Sequence, residues 1–484
     1  MLLEALLLLF PMLVGVYFAV NKFISFLIPA GVLIAVGLPL SFLKSKDKAI
    51  FAKEGLVTVA LAWIILSLVG ALPFVISREI PNYVDAFFET VSGFTTTGAS
   101  ILKDVGVLSK ANMFWRLFTH WIGGMGVLVF VLAILPADST GAMHVFRAES
   151  PGPTVGKLVS KLSFTARILY VIYAVMTIIE TLLLICGGMS VYDAVLHAFS
   201  TAGTGGFGVY NDSVAHYNSV YIEMVIATFM MLFGINLNVY YLILIGQVRK
   251  AFKSEEFKIY LSIIFVATLV IAINLVISSV KSVANFWDAL RYSFFQVTSI
   301  SSTTGFSTID FGEWPAFSKG VLLILTIIGA SAGSTGGGIK VSRLVILIKS
   351  ACKDVKRTIH PRSVVSLSFE NEPVQRETER GIRTYFIIWV MLVIACTLIL
   401  TLDSGANAAI LGIEQGFSQI MTHLSASLAC IGNIGPGIEA VGPTMNFSMY
   451  SPFSKIILSF IMLVGRLEIF PMLILFAPRT WKRG

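Results

Sequence analysis

Four short stretches of hydroxyl-bearing residues and glycine have the chemistry to bind a monovalent cation through their backbone carbonyls. A ring of carbonyl oxygens can replace the hydration shell of such an ion, and glycine permits the backbone angles that turn consecutive carbonyls toward one axis. One stretch alone would be more simply a surface turn, whereas four in one chain favour a shared site. The stretches are Thr95, Thr96, Thr97 and Gly98; Thr204, Gly205 and Gly206; Ser302, Thr303, Thr304 and Gly305; and Gly432, Asn433, Ile434 and Gly435.

The first three stretches follow the same upstream pattern. An aromatic or apolar residue, Asp-Ala and a short half-polar segment precede each, as in "YVDAFFETVSGFTTTGAS". We expect Asp85, Asp193 and Asp288 to be N-caps that accept from the free N–H groups of a short helix. The third copy is four residues longer between Asp and Gly, which is about one further helical turn. The fourth copy lacks Asp-Ala but keeps the segment for a short helix.

The composition places these stretches in a membrane protein. The chain of 484 residues is 56% hydrophobic and only 13% charged, whereas a soluble domain carries about 25% charged residues. Uncharged runs at 55–77, 259–280 and 384–402 hold roughly the 20 apolar residues that cross a bilayer as a helix. The sequence therefore predicts a polytopic helical membrane protein.

The net charge of +8 is distributed in patches, as expected for cytoplasmic loops under the positive-inside rule. A nucleic-acid surface would instead interleave basic residues with aromatic residues on one domain, so no nucleic-acid partner is expected. The same rule predicts that both termini lie in the cytoplasm. Lys and Arg gather at 44–53, 147–167, 249–258 and 343–383, and they are absent from 190–217 and 403–450.

The short stretches divide the chain into four repeats of span, short segment and span. The predicted spans are 55–77 with 113–135, 168–189 with 219–246, 259–280 with 320–349, and 384–402 with 454–477, after a leading pair at 2–20 and 23–43. Each repeat keeps its basic end inside, so the repeats are parallel, and repetition on this scale determines the fold. The predicted fold class is an all-α polytopic membrane protein with four parallel repeats around one pseudo-four-fold pore, preceded by a helix pair. The predicted boundaries are 1–54 for the leading pair and 55–136, 137–258, 259–380 and 381–484 for the repeats.

Two features inside the predicted spans are costly unless they are functional. "GASAGSTGGGIK", residues 329–340, places five glycines in one span, and each weakens a helix by about 1 kcal/mol. We expect a broken helix here, since glycines used for tight helix packing usually leave the helix continuous. Arg466 lies near the middle of the last predicted span, where a charge by default faces a cavity or a partner. A salt bridge to Glu468 is the alternative, but residues two apart on a helix do not face each other.

Two nucleotide-binding motifs are matched only in part. "GTGGFG", residues 203–208, has the spacing of a dinucleotide fingerprint but lacks the strand before it and the helix after it. "GSTGGGIK", residues 333–340, resembles a phosphate-binding loop but has Ile339 where the Lys should be. The six His residues form no ligand set, and no Ser/His/Asp set or carboxylate pair has a motif around it. We therefore expect no enzyme activity.

The span–loop–span repeat, the stretches "TTTG", "STTGF" and "GNIGPG", and the glycine-rich span resemble the Trk/Ktr/HKT superfamily of potassium transporters. The extra N-terminal spans and the length favour its bacterial TrkH type. The resemblance covers essentially the whole chain and implies K⁺ uptake through one pore made of four K⁺-channel-like repeats. The four stretches would then form a selectivity filter that binds K⁺. Ile434 and Gly432 depart from the hydroxyl pattern of the other copies.

The resemblance also implies a gate, partners and a location. The glycine-rich segment would be an intramembrane loop that obstructs the pore below the filter, and Arg466 would raise the barrier to K⁺. No cofactor is expected in this chain, and its cytosolic loops are too short to bind a nucleotide. Regulation would come from a cytosolic nucleotide-binding subunit of the TrkA type, acting on a homodimer in the bacterial cytoplasmic membrane. The expected gate residues are Gly329, Ser331, Gly333, Ser334, Thr335, Gly336, Gly337, Gly338, Lys340 and Arg466.

Two other functions remain open from the sequence. The first is a Na⁺-coupled or Na⁺-permeable relative, which a Ser at the first filter glycine would favour; this chain has Gly98 there. The second is a secondary transporter of an organic solute, which would need inverted repeats. The predicted repeats are parallel, and this argues against the second function.

Overall fold

The protein is an all-α polytopic fold in a computed structural model that describes residues 1–42, 52–126, 162–280, 283–362, 366–413 and 417–481. Within these ranges, five helices are long and apolar enough to cross a membrane, and a bent helix pair adds a sixth if it is taken as one span. The described part also contains a small antiparallel hairpin of β1 (Ser368–Phe369) and β2 (Glu372–Pro373).

The described helices follow the expected order of a long helix, a short helix and a second helix, four times after a leading group. The helices of the first half are α1 (Leu2–Leu7), α2 (Leu9–Tyr17), α3 (Ile24–Phe42), α4 (Ala52–Gly70), α5 (Leu72–Ile76), α6 (Tyr83–Phe94), α7 (Lys110–Met125), α8 (Leu162–Cys186), α9 (Val191–Gly203), α10 (Val220–Phe233) and α11 (Leu237–Leu244).

The second half repeats this order twice more, so that α6, α9, α14 and α19 are the four short helices. Its helices are α12 (Val248–Lys253), α13 (Glu255–Ile277), α14 (Phe286–Ser301), α15 (Ala316–Ile328), α16 (Val341–Ile359), α17 (Arg376–Thr401), α18 (Ser404–Leu411), α19 (Gln419–Gly432), α20 (Pro452–Arg466) and α21 (Phe470–Phe476).

The short helices form the centre and the long helices surround them. Every residue of α6 from Phe88 to Phe94 is buried, although the helix carries Glu, Thr and Ser as well as apolar residues. The long helices instead expose apolar side chains, such as Val171, Ile178 and Leu182 on α8. This inversion of polarity is expected when the outer surface faces lipid and the interior holds polar groups.

The predicted N-caps were wrong by three residues. The capping side chains belong to Asn82, Ser190 and Asn285, and the three aspartates are the third residues of their helices. For example, the Asp288 N–H donates to Asn285 Oδ1 at 2.9 Å. The aspartates still favour helix formation, because an acidic side chain in the first turn complements the positive end of the helix dipole. The expected extra turn is present, since α14 has 16 residues against 12 in α6 and 13 in α9.

Three of the predicted second spans are broken rather than continuous. The glycine-rich segment separates α15 from α16, as predicted. The prediction of a continuous span at 219–246 was wrong, because α10 and α11 meet at 90°. The span predicted at 454–477 is interrupted where Glu468 and Ile469 have φ of 61° and 66°, so Arg466 ends α20 instead of lying mid-helix. The predicted span 113–135 is described only to residue 126.

A buried ion pair in the first predicted repeat also contacts the backbone of the second. Arg116 on α7 donates from Nε to Glu89 Oε1 on α6 at 2.6 Å, and both side chains are almost fully buried. The Glu89 carboxylate also accepts from the Ile101 N–H at 3.0 Å, while Arg116 donates to the Gly208 carbonyl at 3.1 Å. The pair therefore fixes the segments that follow α6 and α9 relative to each other.

Breaking this pair should destabilise the fold strongly. Glu89→Gln leaves the Arg116 charge buried without its partner, and removing one member of a buried pair costs about 3–5 kcal/mol. We expect a clear drop in the melting temperature of the purified protein in detergent. The control is Asp212→Asn, which removes an exposed pair with His216 at 3.5 Å and should change stability by less than about 1 kcal/mol. Equal melting temperatures for Glu89→Gln and the wild type would contradict the stabilising role of the Arg116–Glu89 pair.

Candidate functional site

Each short helix ends in a loop of the same backbone conformation. We name them loop 1 (residues 95–98), loop 2 (203–206), loop 3 (302–305) and loop 4 (432–435). In each, one residue with positive φ is followed by an ordinary residue and then by a glycine with positive φ. The φ angles are 54° and 79° at Thr96 and Gly98, 53° and 81° at Thr204 and Gly206, 62° and 86° at Thr303 and Gly305, and 53° and 96° at Asn433 and Gly435.

The hydrogen bonds of the four loops are also the same. In loop 1 the Thr96 N–H donates to the Gly93 carbonyl at 3.1 Å and the Thr97 N–H donates to the Ser92 carbonyl at 2.9 Å. This is the Schellman ending of a helix, which normally places Gly in the left-handed position. Three of the four loops have Thr there, and a β-branched residue with positive φ is an outlier that costs on the order of 1–3 kcal/mol. Such strain at three of the four equivalent positions indicates a functional constraint.

The glycines close the four loops into a ring. A Cβ on Gly98 would overlap the carbonyl oxygen of Gly205, and a Cβ on Gly435 would press against that of Thr97. The same relation links loop 2 to loop 3 and loop 3 to loop 4, so the carbonyl of each middle residue lies against the last glycine of a neighbouring loop. All four of these glycines line one open cavity on the far side from the glycine-rich segment. The remaining contacts are Gly206 with the Thr304 carbonyl and Gly305 with the Ile434 carbonyl.

Hydrogen bonds between polar side chains stabilise the ring. The hydroxyls of Thr95 and Thr97 are 2.8 Å apart, and those of Ser302 and Thr304 are 2.7 Å apart. Loop 4 lacks these hydroxyls, and its Asn433 amide donates instead to Thr97 Oγ1 at 3.0 Å. The backbone therefore places Asn433, Ile434 and Gly435 in register with the other copies despite their different side chains.

His120 on α7 links the first two loops, and the sequence pattern did not reveal it. Its Nδ1 lies 2.7 Å from the Gly93 carbonyl on α6, and its Nε2 accepts from the Phe207 N–H at 3.3 Å. A side chain at Gly205 or Gly203 would collide with His120. The expected loop 2 residues began at Thr204, but Gly203 is the structural equivalent of Thr95 and also belongs to the loop.

The cavity lined by the four glycines has polar walls contributed by the loops around it. Asn211 joins repeats one and two at this entrance, since its amide donates to Asp104 Oδ1 at 2.9 Å and its Oδ1 accepts from the Val105 N–H at 2.8 Å. The hydrogen bonds from Asn211 and from the Gly106 N–H hold the pKa of the exposed Asp104 carboxyl below its usual value. The carboxylate therefore stays charged next to Lys103 and Val105, which line the cavity.

The glycine-rich segment (Gly329–Lys340, the Gly-rich loop) lies directly against loops 3 and 4. The Gly337 N–H donates to Thr303 Oγ1 at 2.6 Å. A side chain at Gly336 would meet the Ser302 carbonyl, and one at Gly337 would meet the Gly432 carbonyl. The glycines of this loop are therefore required by close approach to the ends of α14 and α19.

The other side of the Gly-rich loop occupies the break between α10 and α11. The Ser331 N–H donates to the Gly234 carbonyl at 3.1 Å, and the Leu237 N–H donates to the Gly333 carbonyl at 3.0 Å. Thr335 Oγ1 donates to the Phe233 carbonyl at 3.3 Å. The 90° bend frees the backbone groups of α10 and α11, and the Gly-rich loop satisfies them.

Two cations lie beside the Gly-rich loop. Arg466 donates to the Thr335 carbonyl at 2.9 Å from Nη1 and to the Gly124 carbonyl at 2.6 Å from Nη2. It therefore joins the Gly-rich loop to the end of α7. Lys340 is buried, has φ of 82°, and donates from Nζ to the Gly336 carbonyl within the loop. Glu468 forms an ion pair with Arg343 on α16.

Comparison with known proteins gives matches over almost the whole chain. Residues 24–483 match the TrkH family model, which describes a cation transport protein. The chain is 35% identical over 456 residues to the Trk system potassium uptake protein TrkH of Escherichia coli (strain K12), with 93% of this chain and 91% of that protein covered. It is 30% identical over 477 residues to the Trk system potassium uptake protein TrkH of Halomonas elongata, with 98% and 95% covered.

A solved structure is similar over almost its full length. The crystal structure of the potassium transporter TrkH from Vibrio parahaemolyticus matches with a TM-score of 0.85 and 30% sequence identity, covering 99% of this chain and 97% of that chain. The superfamily and the helical membrane fold expected from the motifs are thereby confirmed, as is the expectation of a transporter rather than an enzyme. The chain belongs to the TrkH family of cation transport proteins.

Proposed function

We propose that this protein takes up K⁺ across the bacterial cytoplasmic membrane through a pore whose selectivity filter consists of loops 1 to 4. The observation that carries the proposal is the ring of four loops with one shared backbone conformation, in which each middle carbonyl abuts the last glycine of a neighbour. The names of its relatives, which are potassium uptake proteins, support K⁺ as the ion.

The filter would act on a partly dehydrated ion. Carbonyl oxygens from four loops replace water around K⁺, and the short helices direct their negative ends to the same point. No side chain has to contact the ion, which agrees with Ile434 at a position where Thr or Gly stands in the other loops. The K⁺ held there is the transported ion and not a cofactor. Gly98 and its three equivalents favour a K⁺ pathway over a Na⁺-permeable one.

The Gly-rich loop would be the gate. It lies against the ends of α14 and α19 on the side of the ring away from the open cavity, where it blocks the path of an ion leaving the filter. Nine of its members, from Gly329 to Lys340, were expected at this position from the sequence, and Arg466 was expected beside it. The guanidinium of Arg466 adds a positive charge just below the filter, and this charge raises the barrier to K⁺.

Regulation would come from a second protein. The family is named as part of a Trk system, and this naming supports further components that associate with the membrane subunit. We propose a homodimer of this chain with a cytosolic nucleotide-binding subunit of the TrkA type, both termini in the cytoplasm, and the repeat boundaries 1–54, 55–136, 137–258, 259–380 and 381–484.

Substitution of the filter glycines tests the filter directly. Gly98→Ser and Gly305→Ser each introduce a Cβ that collides with a carbonyl of the neighbouring loop, at a φ that side chains avoid. We expect the K⁺ over Na⁺ permeability ratio, measured by ion flux in proteoliposomes, to fall by about tenfold or more, equivalent to about 1.4 kcal/mol. Gly320→Ser is the matched control, because a Cβ there meets nothing within 4 Å. Unchanged ratios in both filter variants would refute the filter assignment.

Neutralising Arg466 tests the charge at the gate. Arg466→Ala and Arg466→Gln remove the charge, and Arg466→Lys keeps it. We expect the first two to raise K⁺ flux by about tenfold, equivalent to about 1.4 kcal/mol, and the third to stay near wild type. Correctly folded Ala and Gln variants with flux at or below the wild-type value would count against a barrier role.

A further inference from the structure

One carboxylate oxygen joins both ends of the Gly-rich loop. Glu256, on the first turn of α13, accepts at Oε1 from the Ala332 N–H at 2.7 Å and from the Ser342 N–H at 3.1 Å. Ala332 lies near the start of the loop and Ser342 just beyond its end. The Glu256 side chain is buried, and its partners are 76 and 86 residues away in sequence. These two hydrogen bonds, which we name the staple, therefore connect the segments at which the chain leaves and re-enters helical structure.

A second carboxylate fixes the turn that carries Glu256. Glu370 Oε1 accepts from the Glu256 N–H at 3.0 Å and from the Ser254 hydroxyl at 2.8 Å. Ser254 is itself the N-cap of α13 and accepts from the Phe257 N–H at 3.3 Å. The first N–H groups of a helix have no partner within the helix, so Glu370 supplies one from outside and orders this turn.

Glu370 is presented by the tip of the β1–β2 hairpin. Phe369 pairs with Glu372, so Glu370 and Asn371 form a two-residue turn, with φ of 54° and 63°. Such a turn strongly prefers Asn-Gly or Asp-Gly, and Glu at its first position is unfavourable for the backbone. We therefore attribute the presence of Glu at this position to the hydrogen bonds that its side chain accepts from Ser254 and Glu256.

The hairpin is attached to the helix that leaves the Gly-rich loop. Lys349 on α16 donates to the Ser368 carbonyl of β1 at 3.0 Å and pairs with Glu255 at 2.5 Å. The side chain of Phe369 is buried against the same region. These contacts connect the hairpin, α13 and α16 to one another. All three lie at the end of the pore that carries the basic loops.

We propose that Glu256 is the positioning residue that holds the Gly-rich loop closed, and that the β1–β2 hairpin controls it through Glu370. The inference rests on the proposed function of the Gly-rich loop as the gate. Displacement of the hairpin would withdraw Glu370, leave the first turn of α13 without its outside acceptor, and move Glu256 away from Ala332 and Ser342. A partner that grips the hairpin could thereby open the pore without touching the ion path.

The expected size of the effect of removing Glu256 follows from the composition of the Gly-rich loop. Five glycines leave the Gly-rich loop with little side-chain packing, so hydrogen bonds, among them the two to Glu256, hold it in place. Without the Glu256 acceptor, the N–H groups of the buried residues Ala332 and Ser342 lose a hydrogen-bond partner, which is costly in a protein interior. Loss of one such bond corresponds to at least about a tenfold change in the ratio of open to closed states.

Four variants in the full chain test the proposal by K⁺ flux in proteoliposomes. Glu256→Ala and Glu256→Asp abolish the staple, because Ala has no acceptor and Asp is one methylene too short. We expect both to raise K⁺ flux at least about tenfold, with the K⁺ over Na⁺ ratio unchanged. Glu256→Gln retains an acceptor oxygen and should stay close to wild type, whereas Glu370→Ala should raise flux by a smaller factor. Hydrogen exchange of the peptide that covers residues 329–344 should accelerate in the same order.

Deletion of residues 329–338 separates this proposal from the gate assignment. The deletion should itself raise K⁺ flux, and Glu256→Ala should have no further effect in the deleted protein. If the deletion raises flux but Glu256→Ala and Glu256→Asp neither raise flux nor accelerate exchange, Glu256 is not the staple and the gate stands. If the assembled deletion protein shows no gain in flux, the gate assignment itself fails. A Glu256→Gln variant with K⁺ flux as high as that of Glu256→Ala would also overturn the role of the acceptor oxygen.

Discussion

The structure depends on one constraint, which is that four short helices end next to one another inside the protein, with the carbonyl of each middle loop residue against the last glycine of a neighbouring loop. A carbonyl that ends a helix has no partner within that helix, and in lipid such a group must be satisfied by protein or by an ion. The four short helices meet this constraint with the same left-handed ending. Thr96, Thr204 and Thr303 adopt it despite their branched side chains, and a purely structural turn would more readily use glycine.

The surrounding contacts serve to hold this arrangement together. The pair of Arg116 and Glu89 and the ring of His120 connect the first two loops, while Asn433 connects the fourth loop to the first. The breaks in the second spans have a related cause. At Gly234 the helix ends where the Gly-rich loop requires its carbonyl, so the irregular backbone of one repeat satisfies that of another. Irregular backbone at membrane depth is tolerated only when it is buried in this way.

Sequence reasoning could predict what depends on local composition and repetition. The long apolar spans, the four loops and the interruption at Gly329–Lys340 all follow from residue types, and the repeated spacing aligned loop 4 although it lacks the hydroxyl pattern. Sequence reasoning failed where the observed structure depends on tertiary contacts between residues far apart in the chain. Asp288 competed for the cap with Asn285, which has an equally suitable side chain three residues earlier. The bend at Gly234 lies in an uninterrupted apolar run, and Glu256 appeared as an ordinary charged residue at the start of a span because its partners are 76 and 86 residues away.

The proposed filter would discriminate between cations by replacing their hydration shell. The most direct measurement is the flux of K⁺, Rb⁺, Na⁺ and Li⁺ through the purified wild-type protein in proteoliposomes, with and without a proton gradient. We expect K⁺ and Rb⁺, which lose water most readily, to pass at similar rates well above those of Na⁺ and Li⁺. Equal flux of all four ions, or flux of Na⁺ above that of K⁺, would contradict it.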